Sequence, residues 1–179
     1  MSSFKSFYNQ EVRKKVSSAL KITNPMAVPR LVKVVVNVGA GEAVVNKGVI
    51  EKVKEQLQLI TGQRPVVTKA KKSVSAFKIR QGAPIGVKVT LRGERMYSFV
   101  EKLVKIVIPR LKDFRGVRQQ SLDKYGNLNI GFPEQTIFPE ISFDTIDKIR
   151  GLEVTIVTNA YSREKGKALF EALGIPFSQ

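Results

Sequence analysis

From Leu31 to Val38 the chain alternates, with Val34, Val36 and Val38 on one side of an extended backbone and Lys33, Val35 and Asn37 on the other. Successive strand side chains point to opposite faces, and β-branched residues suit a pleated surface, so the spacing predicts a strand with one core face. Ile85 to Arg92 repeats the arrangement, setting Val87, Val89 and Leu91 opposite Lys88, Thr90 and Arg92. Two such strands in one sheet require cover only on the aliphatic side. The other side, showing Lys33, Asn37, Lys88, Thr90 and Arg92, is left open.

The cover is legible as helices. Phe4, Phe7, Tyr8, Val12 and Val16 recur at helical spacing, which predicts a helix from about Ser3 to Leu20. After a connector broken by Pro25 and Pro29, Asn46 caps a second helix with apolar positions Val49, Ile50, Val53, Leu57 and Ile60, ending at Gly62. Pro65 to Lys69 reads as another strand, and Arg95 to Ile108 as a helix that stops at Pro109. Asn127 to Gly131 and Gly151 to Asn159 read as strands, the latter burying Val154 and Ile156. Ser162 caps a last helix closed by Gly174-Ile175-Pro176. No repeat or linker divides residues 1–179, and the interleaving is too irregular for a doubly wound parallel sheet. The expectation is a single α+β domain, mainly an antiparallel sheet with helices on one face. A long basic loop, Ala70 to Pro84, joins two central strands.

Charge points to the kind of partner. Between Glu55 and Glu94 there is no acidic residue, while Arg64, Lys69, Lys71, Lys72, Lys78, Arg80, Lys88 and Arg92 fill the interval. The whole chain carries 31 Lys and Arg against 15 Asp and Glu, a formal charge of +16 on 179 residues. Solubility needs no such excess, so the composition indicates a polyanion, with nucleic acid the first candidate. With 42% hydrophobic residues, the chain has material for a core rather than for a disordered basic tail.

Other classes are narrowed by what is missing. The sequence has no cysteine and no histidine, which removes disulfides, thiolate nucleophiles, zinc fingers and histidine acid–base pairs. The residues from Met1 to Glu11 lack the apolar run of a secretory signal, and no apolar stretch approaches a bilayer span. A cytoplasmic protein without a membrane partner, cofactor or metal is expected. Gly39-Ala40-Gly41-Glu42 has Val44 where a dinucleotide fingerprint needs its third glycine, so it reads as a tight turn. No base is fixed beside a nucleophile, and no catalytic residue is assigned.

The loop joins cations, hydroxyls and one ring: Lys71, Lys72, Ser73, Phe77, Lys78, Arg80, Gln81 and Gly82. RNA contacts use phosphate pairing, hydrogen bonding and stacking together. Phe77 is as consistent with a place in the core as with a stacking role. On residues alone, a specific RNA-binding protein, a nucleic-acid chaperone without sequence preference and a basic enzyme acting on RNA all remain open.

A resemblance enters at Val36-Asn37-Val38-Gly39, Thr61-Gly62-Gln63-Arg64-Pro65, Thr68-Lys69-Ala70-Lys71-Lys72-Ser73, Phe77-Lys78-Ile79-Arg80-Gln81-Gly82 and Lys88-Val89-Thr90-Leu91-Arg92-Gly93-Glu94. It continues through Pro109-Arg110, Asp113-Phe114-Arg115-Gly116 and Glu134-Gln135-Thr136-Ile137-Phe138-Pro139-Glu140-Ile141. In this order, along nearly the whole chain, the motifs resemble the bacterial ribosomal protein L5 family. The resemblance implies a non-enzymatic protein of the large subunit's central protuberance that binds 5S rRNA. The other partners it implies are large-subunit rRNA, neighbouring central-protuberance proteins, a small-subunit protein across an intersubunit bridge and peptidyl-site transfer RNA. It makes Asn37, Gln63 and Thr90 candidates for 5S rRNA, joined by Lys33, Lys88 and Arg92 of the open face. Lys71, Lys72, Ser73, Phe77, Lys78, Arg80, Gln81 and Gly82 become the loop facing transfer RNA.

Two segments depart from the family's usual pattern. Asp123-Lys124-Tyr125-Gly126-Asn127 stands where the family commonly has Asp-Gly-Arg-Gly-Asn, and Tyr161-Ser162-Arg163-Glu164-Lys165-Gly166 replaces an acidic helix start. Cations at a helix N-terminus oppose the macrodipole. Arg163 and Lys165 therefore fit either a role toward RNA or a protein neighbour, or plain solvation.

Overall fold

A computed structural model describes residues 3–46, 48–111, 115–142 and 146–178. Five strands, β1 (Leu31–Gly39), β2 (Val66–Lys69), β3 (Pro84–Leu91), β4 (Leu128–Phe132) and β5 (Leu152–Thr158), form one antiparallel sheet in the order β2-β3-β1-β5-β4. The expected α+β class holds. Along β1 the side chains of Val34, Val36 and Val38 are buried while Asn37 is exposed and Lys33 and Val35 are half-buried. In β3, Val87, Val89 and Leu91 are buried and Lys88 is exposed. The alternation in the sequence is thus an alternation in burial. At about 1.5–3 kcal/mol per buried aliphatic side chain, each strand's face is fixed by several such groups.

The chain divides into two compact units, one of Met1–Val34, Leu91–Ile130 and Thr155–Gln179, the other of Val35–Thr90 and Gly131–Val154. In the first, α1 (Ser3–Phe7), a π turn (Tyr8–Val12) and α2 (Arg13–Ala19) follow one another, burying Phe4, Tyr8, Val12 and Val16. The Leu31 N–H donates to the Tyr8 hydroxyl at 3.1 Å, and the Tyr8 ring lies 5.1 Å from that of Tyr97. Burial pushes the Tyr8 phenol up to about 12, with the Leu31 hydrogen bond opposing the shift. Also in this unit are α4 (Gly93–Lys102), a second π turn (Leu103–Val107), α5 (Ile108–Arg110) and α6 (Arg163–Ala172).

Pro109 does not end its helix. The wide turn over Leu103–Val107 closes just before it, and Val107 and Ile108 keep helical backbone angles, so Pro109 is carried within a helical run that ends at Arg110. The predicted stop is corrected to Arg110. Asp113 and Phe114 of the motif before Gly116 lie outside the described residues.

In the second unit, α3 (Gly48–Thr61) buries Val49, Ile50, Val53, Leu57 and Ile60, the five positions predicted. Asn46 Oδ1 accepts the Gly48 N–H at 3.1 Å, as a capping side chain does. Gly41–Val44 forms a short 3-10 turn, in line with the tight turn expected there. Arg150, 7% exposed, holds Asp147 through Nη1–Oδ1 at 2.8 Å and reaches Glu42 Oε1 with Nε at 3.5 Å. The buried side chain of Gln135 accepts from the Arg150 backbone and donates to Lys148 O at 2.8 Å. The segment after β4 is thereby tied to the turn after β1.

Candidate nucleic-acid interface

Strand β2 pairs with β3 so that Val66 faces Lys88, Val67 faces Val87 and Thr68 faces Gly86. Directly paired residues share a face, so Val66 and Thr68 join Lys88 and Thr90 on the side opposite Val87 and Val89. Val66 is 62% exposed there, an apolar group left beside a cation. A Cβ on Gly86 would stand 2.8 Å from Val38 O and 2.9 Å from Thr68 Oγ1. Glycine is what lets these backbones approach. Asn37 is exposed and Thr90 half-buried, as their positions in the alternation require.

Gln63 is brought against the backbone of β3 by the end of α3. Gly62 takes φ +65, closing the helix, and Gln63 Nε2 then donates to Thr90 O at 3.0 Å. Thr61 Oγ1 donates to Leu57 O at 2.7 Å, bracing the same corner. Gln63 and Thr90 are therefore in direct contact, which neither residue's place in the sequence shows. Lys33 and Arg92 belong to the first unit, where Lys33 is half-buried on β1 and Arg92 is exposed at the N-cap of α4.

The segment between β2 and β3 is a small hairpin rather than an open loop. Val74 and Ile79 exchange backbone hydrogen bonds of 2.9 and 3.1 Å across a 3-10 turn, Ser75–Phe77, which Lys78 closes at φ +53. At its base the Ala70 N–H donates to Ala83 O and the Gly82 N–H to Ala70 O, both at 2.9 Å, with Gly82 at φ +83. Ser73 Oγ accepts the Gln81 N–H at 2.9 Å, so Ser73 and Gly82 shape the hairpin itself. Lys71, Lys72, Lys78, Arg80 and Gln81 are exposed or nearly so. Among the described residues no carboxylate pairs with those four cations. Phe77, whose place the sequence left open, is 71% exposed. An uncovered ring among cations offers stacking and phosphate pairing at one tip.

Two further features are less legible in the sequence. Gln135 and Arg150 carry a buried polar clamp, and neither stands in a pattern that announces one. Tyr125 and Tyr161 are large rings left 54% and 81% exposed; their signal was the departure of both segments from the family pattern.

Residues 24–80 match a family model described as ribosomal protein L5, and residues 84–177 match one described as the C-terminus of the same ribosomal family. The chain is 50% identical over 179 residues to a large ribosomal subunit protein uL5 of Desulfotalea psychrophila, covering all of both chains. It is 51% identical to that of Symbiobacterium thermophilum, covering 100% of this chain and 99% of the relative. With that of Parasynechococcus marenigrum the identity is 53% over 175 residues, 98% of each chain. Two family models that together span most of the chain, and near-complete alignment with these relatives, lead to one assignment: the chain belongs to the ribosomal protein L5 family.

Proposed function

We propose that the chain binds 5S rRNA in the central protuberance through the exposed side of β1 and β3, and meets peptidyl-site transfer RNA through the hairpin at Lys71–Gly82. As a large-subunit ribosomal protein it is a structural constituent and not an enzyme, and its place is the ribosome of the cytoplasm. The proposed reading treats residues 1–179 as one RNA-binding domain. Asn37, Gln63, Lys88 and Thr90 are the 5S rRNA candidates of one unit, and Lys33 and Arg92 those of the other. Large-subunit rRNA, neighbouring proteins of the protuberance and a small-subunit protein across a bridge complete the proposed partners.

The observation that carries the reading is the exposure of Asn37 and Lys88 between buried valines on β1 and β3. Such a face can receive bases and phosphates while the fold behind it stays closed. Competition tests it. At physiological salt the protein should keep labelled 5S rRNA against excess unrelated RNA, and Asn37→Ala with Thr90→Ala should weaken that complex. Alanines at Lys71, Lys72, Lys78 and Arg80 should spare most of it and impair transfer RNA positioning in assembled ribosomes. Loss of 5S rRNA from the hairpin variant alone would overturn this division.

A further inference from the structure

Tyr161 has φ +55, a left-handed conformation in which an L side chain crowds its own backbone. Lys21 and Lys78 share that region, but each closes a helical turn. Tyr161 instead precedes the N-cap of α6, and the cap is supplied by Ser162, whose Oγ accepts the Lys165 N–H at 3.3 Å. Its ring is 81% exposed, so burial does not account for it either. Glycine would serve the backbone better.

The neighbouring surface suggests what the ring is for. The turn Asp123–Asn127 lies against the start of α6. A Cβ on Gly126 would be 2.5 Å from Ser162 O, and one on Gly166 would be 2.5 Å from Gly126 Cα. Thr158 Oγ1 fixes the turn by donating to Gly126 O at 2.8 Å. This contact sets the half-exposed Tyr125, with Lys124 Nζ 5.1 Å from its ring centroid, on the same part of the molecule as Tyr161. Arg163 Nη2 donates to the Gln119 carbonyl. Gln119, Arg118, Gln120 and Ser178 line an open groove of about 410 Å³.

The local charge is one-sided. Arg118, Lys124, Arg163 and Lys165 are exposed, with Glu164 the exposed acid among them. The half-exposed Asp123 carboxylate is engaged within its own turn, accepting the N–H groups of Tyr125 and Asn127 at 2.8 Å and Asn127 Nδ2 at 2.7 Å. Two largely exposed rings, beside exposed cations that outnumber the exposed acid Glu164, match the chemistry of an unpaired nucleic-acid strand.

We propose that Tyr125 and Tyr161 form a further RNA-contact surface, stacking the bases of an unpaired segment of ribosomal RNA whose phosphates meet Lys124, Arg163 and Arg118. This surface is distinct from the β1–β3 face and the hairpin, and it rests on the reading of the chain as RNA-binding.

Tyr161→Gly is the informative variant, because it removes the ring while supplying the residue the backbone prefers. Its melting temperature should match or exceed the parent's. Affinity for deproteinised large-subunit rRNA should fall roughly five- to a hundred-fold, with Tyr125→Ala behaving alike. A photoreactive phenylalanine analogue in place of Tyr161, in assembled ribosomes, should crosslink to RNA. Unchanged rRNA affinity of Tyr161→Gly, or a crosslink to a protein instead, overturns the proposal. If the Asn37 and Thr90 variants still weaken 5S rRNA binding in that case, only this surface is refuted. If they too leave RNA binding intact, the proposed function falls with it.

Discussion

The guanidinium of Arg150 grips both carboxylate oxygens of Asp147, Nη1 to Oδ1 at 2.8 Å and Nη2 to Oδ2 at 3.1 Å. Two parallel bonds fix direction as well as charge. Lys52 and Glu42 add one ion pair each to this pair, at 3.7 and 3.5 Å. The Arg150 hydrogen bond, helped by the charges of Arg150 and Lys52 and opposed by burial, holds the Asp147 carboxyl down to about 2, and the same bond raises the guanidinium against its own burial.

An acid-dependent stability follows. The folded carboxyl titrates below its unfolded value near 3.9, so the stabilisation is complete above that value and is lost as pH falls through about 2. Asp147→Asn should cost about 1–2 kcal/mol at neutral pH, a figure below the full linkage value because the carboxylate is partly open to solvent. Urea unfolding of parent and variant should show this difference narrowing between about pH 4 and pH 2.

Tyr8 gives the opposite sign at the alkaline end. Its phenol is raised to about 12 by burial, so the folded state keeps a proton the unfolded state gives up, and stability drops from about pH 10 toward pH 12. Tyr8→Phe should flatten that fall. At neutral pH it should cost about 1–2 kcal/mol, since the buried Leu31 N–H loses its acceptor. Denaturant melts at neutral pH and near the alkaline end of that range check both statements.

Gly166 and Gly131 should respond differently to alanine. A methyl on Gly166 would strike the Gly126 backbone, with Gly126 O at 2.6 Å, whereas one on Gly131 meets nothing within 4 Å. Gly166→Ala should lower stability by roughly 2–4 kcal/mol because no flexible side chain can yield. Gly131→Ala should be neutral or stabilising by about 0.5 kcal/mol through the stiffer unfolded chain. Thermal melting of the two variants decides the matter.

Phe77 should be dispensable for folding and needed for affinity. At 71% exposure its replacement by alanine removes little buried area, and the melting temperature should stay within about a degree. Loss of one stacked base should weaken RNA contact at the hairpin about five-fold or more. Each of Lys71, Lys72, Lys78 and Arg80 changed to alanine should reduce the slope of log affinity against log salt by about 0.7–0.9 where it meets a phosphate. A slope that does not move for any of the four would remove the hairpin from the RNA interface.

The parts of this fold readable in advance were those set by local periodicity. In α3, Val49, Ile50, Val53, Leu57 and Ile60 lie at helical intervals and all are buried, so position in sequence dictated position in space. Asn37 and Lys88 were visible for the same reason on β1 and β3. The π turns were not. Tyr8, Val12 and Val16 are spaced by four residues, which drifts about 40° per step around an ideal helix, yet all three are essentially inaccessible. A wider turn absorbs that drift and leaves no residue type as its mark. Gln63 was named without its contact, because the bond to the Thr90 carbonyl depends on how Gly62 ends the helix. The tyrosine surface was hidden because it arises from Gly126 meeting Gly166, residues far apart along the chain.

The Ser73–Gln81 bond and the Val74–Ile79 pair give the hairpin internal fastening. Their consequence is kinetic and entropic. Residues already held in one conformation lose little freedom when a partner arrives, so the ordering cost of about 1–2 kcal/mol per free residue is met during folding instead. Opening the fastening with Ser73→Ala would leave every cation in place and still slow productive capture, because preorganisation, not charge, would be what had gone.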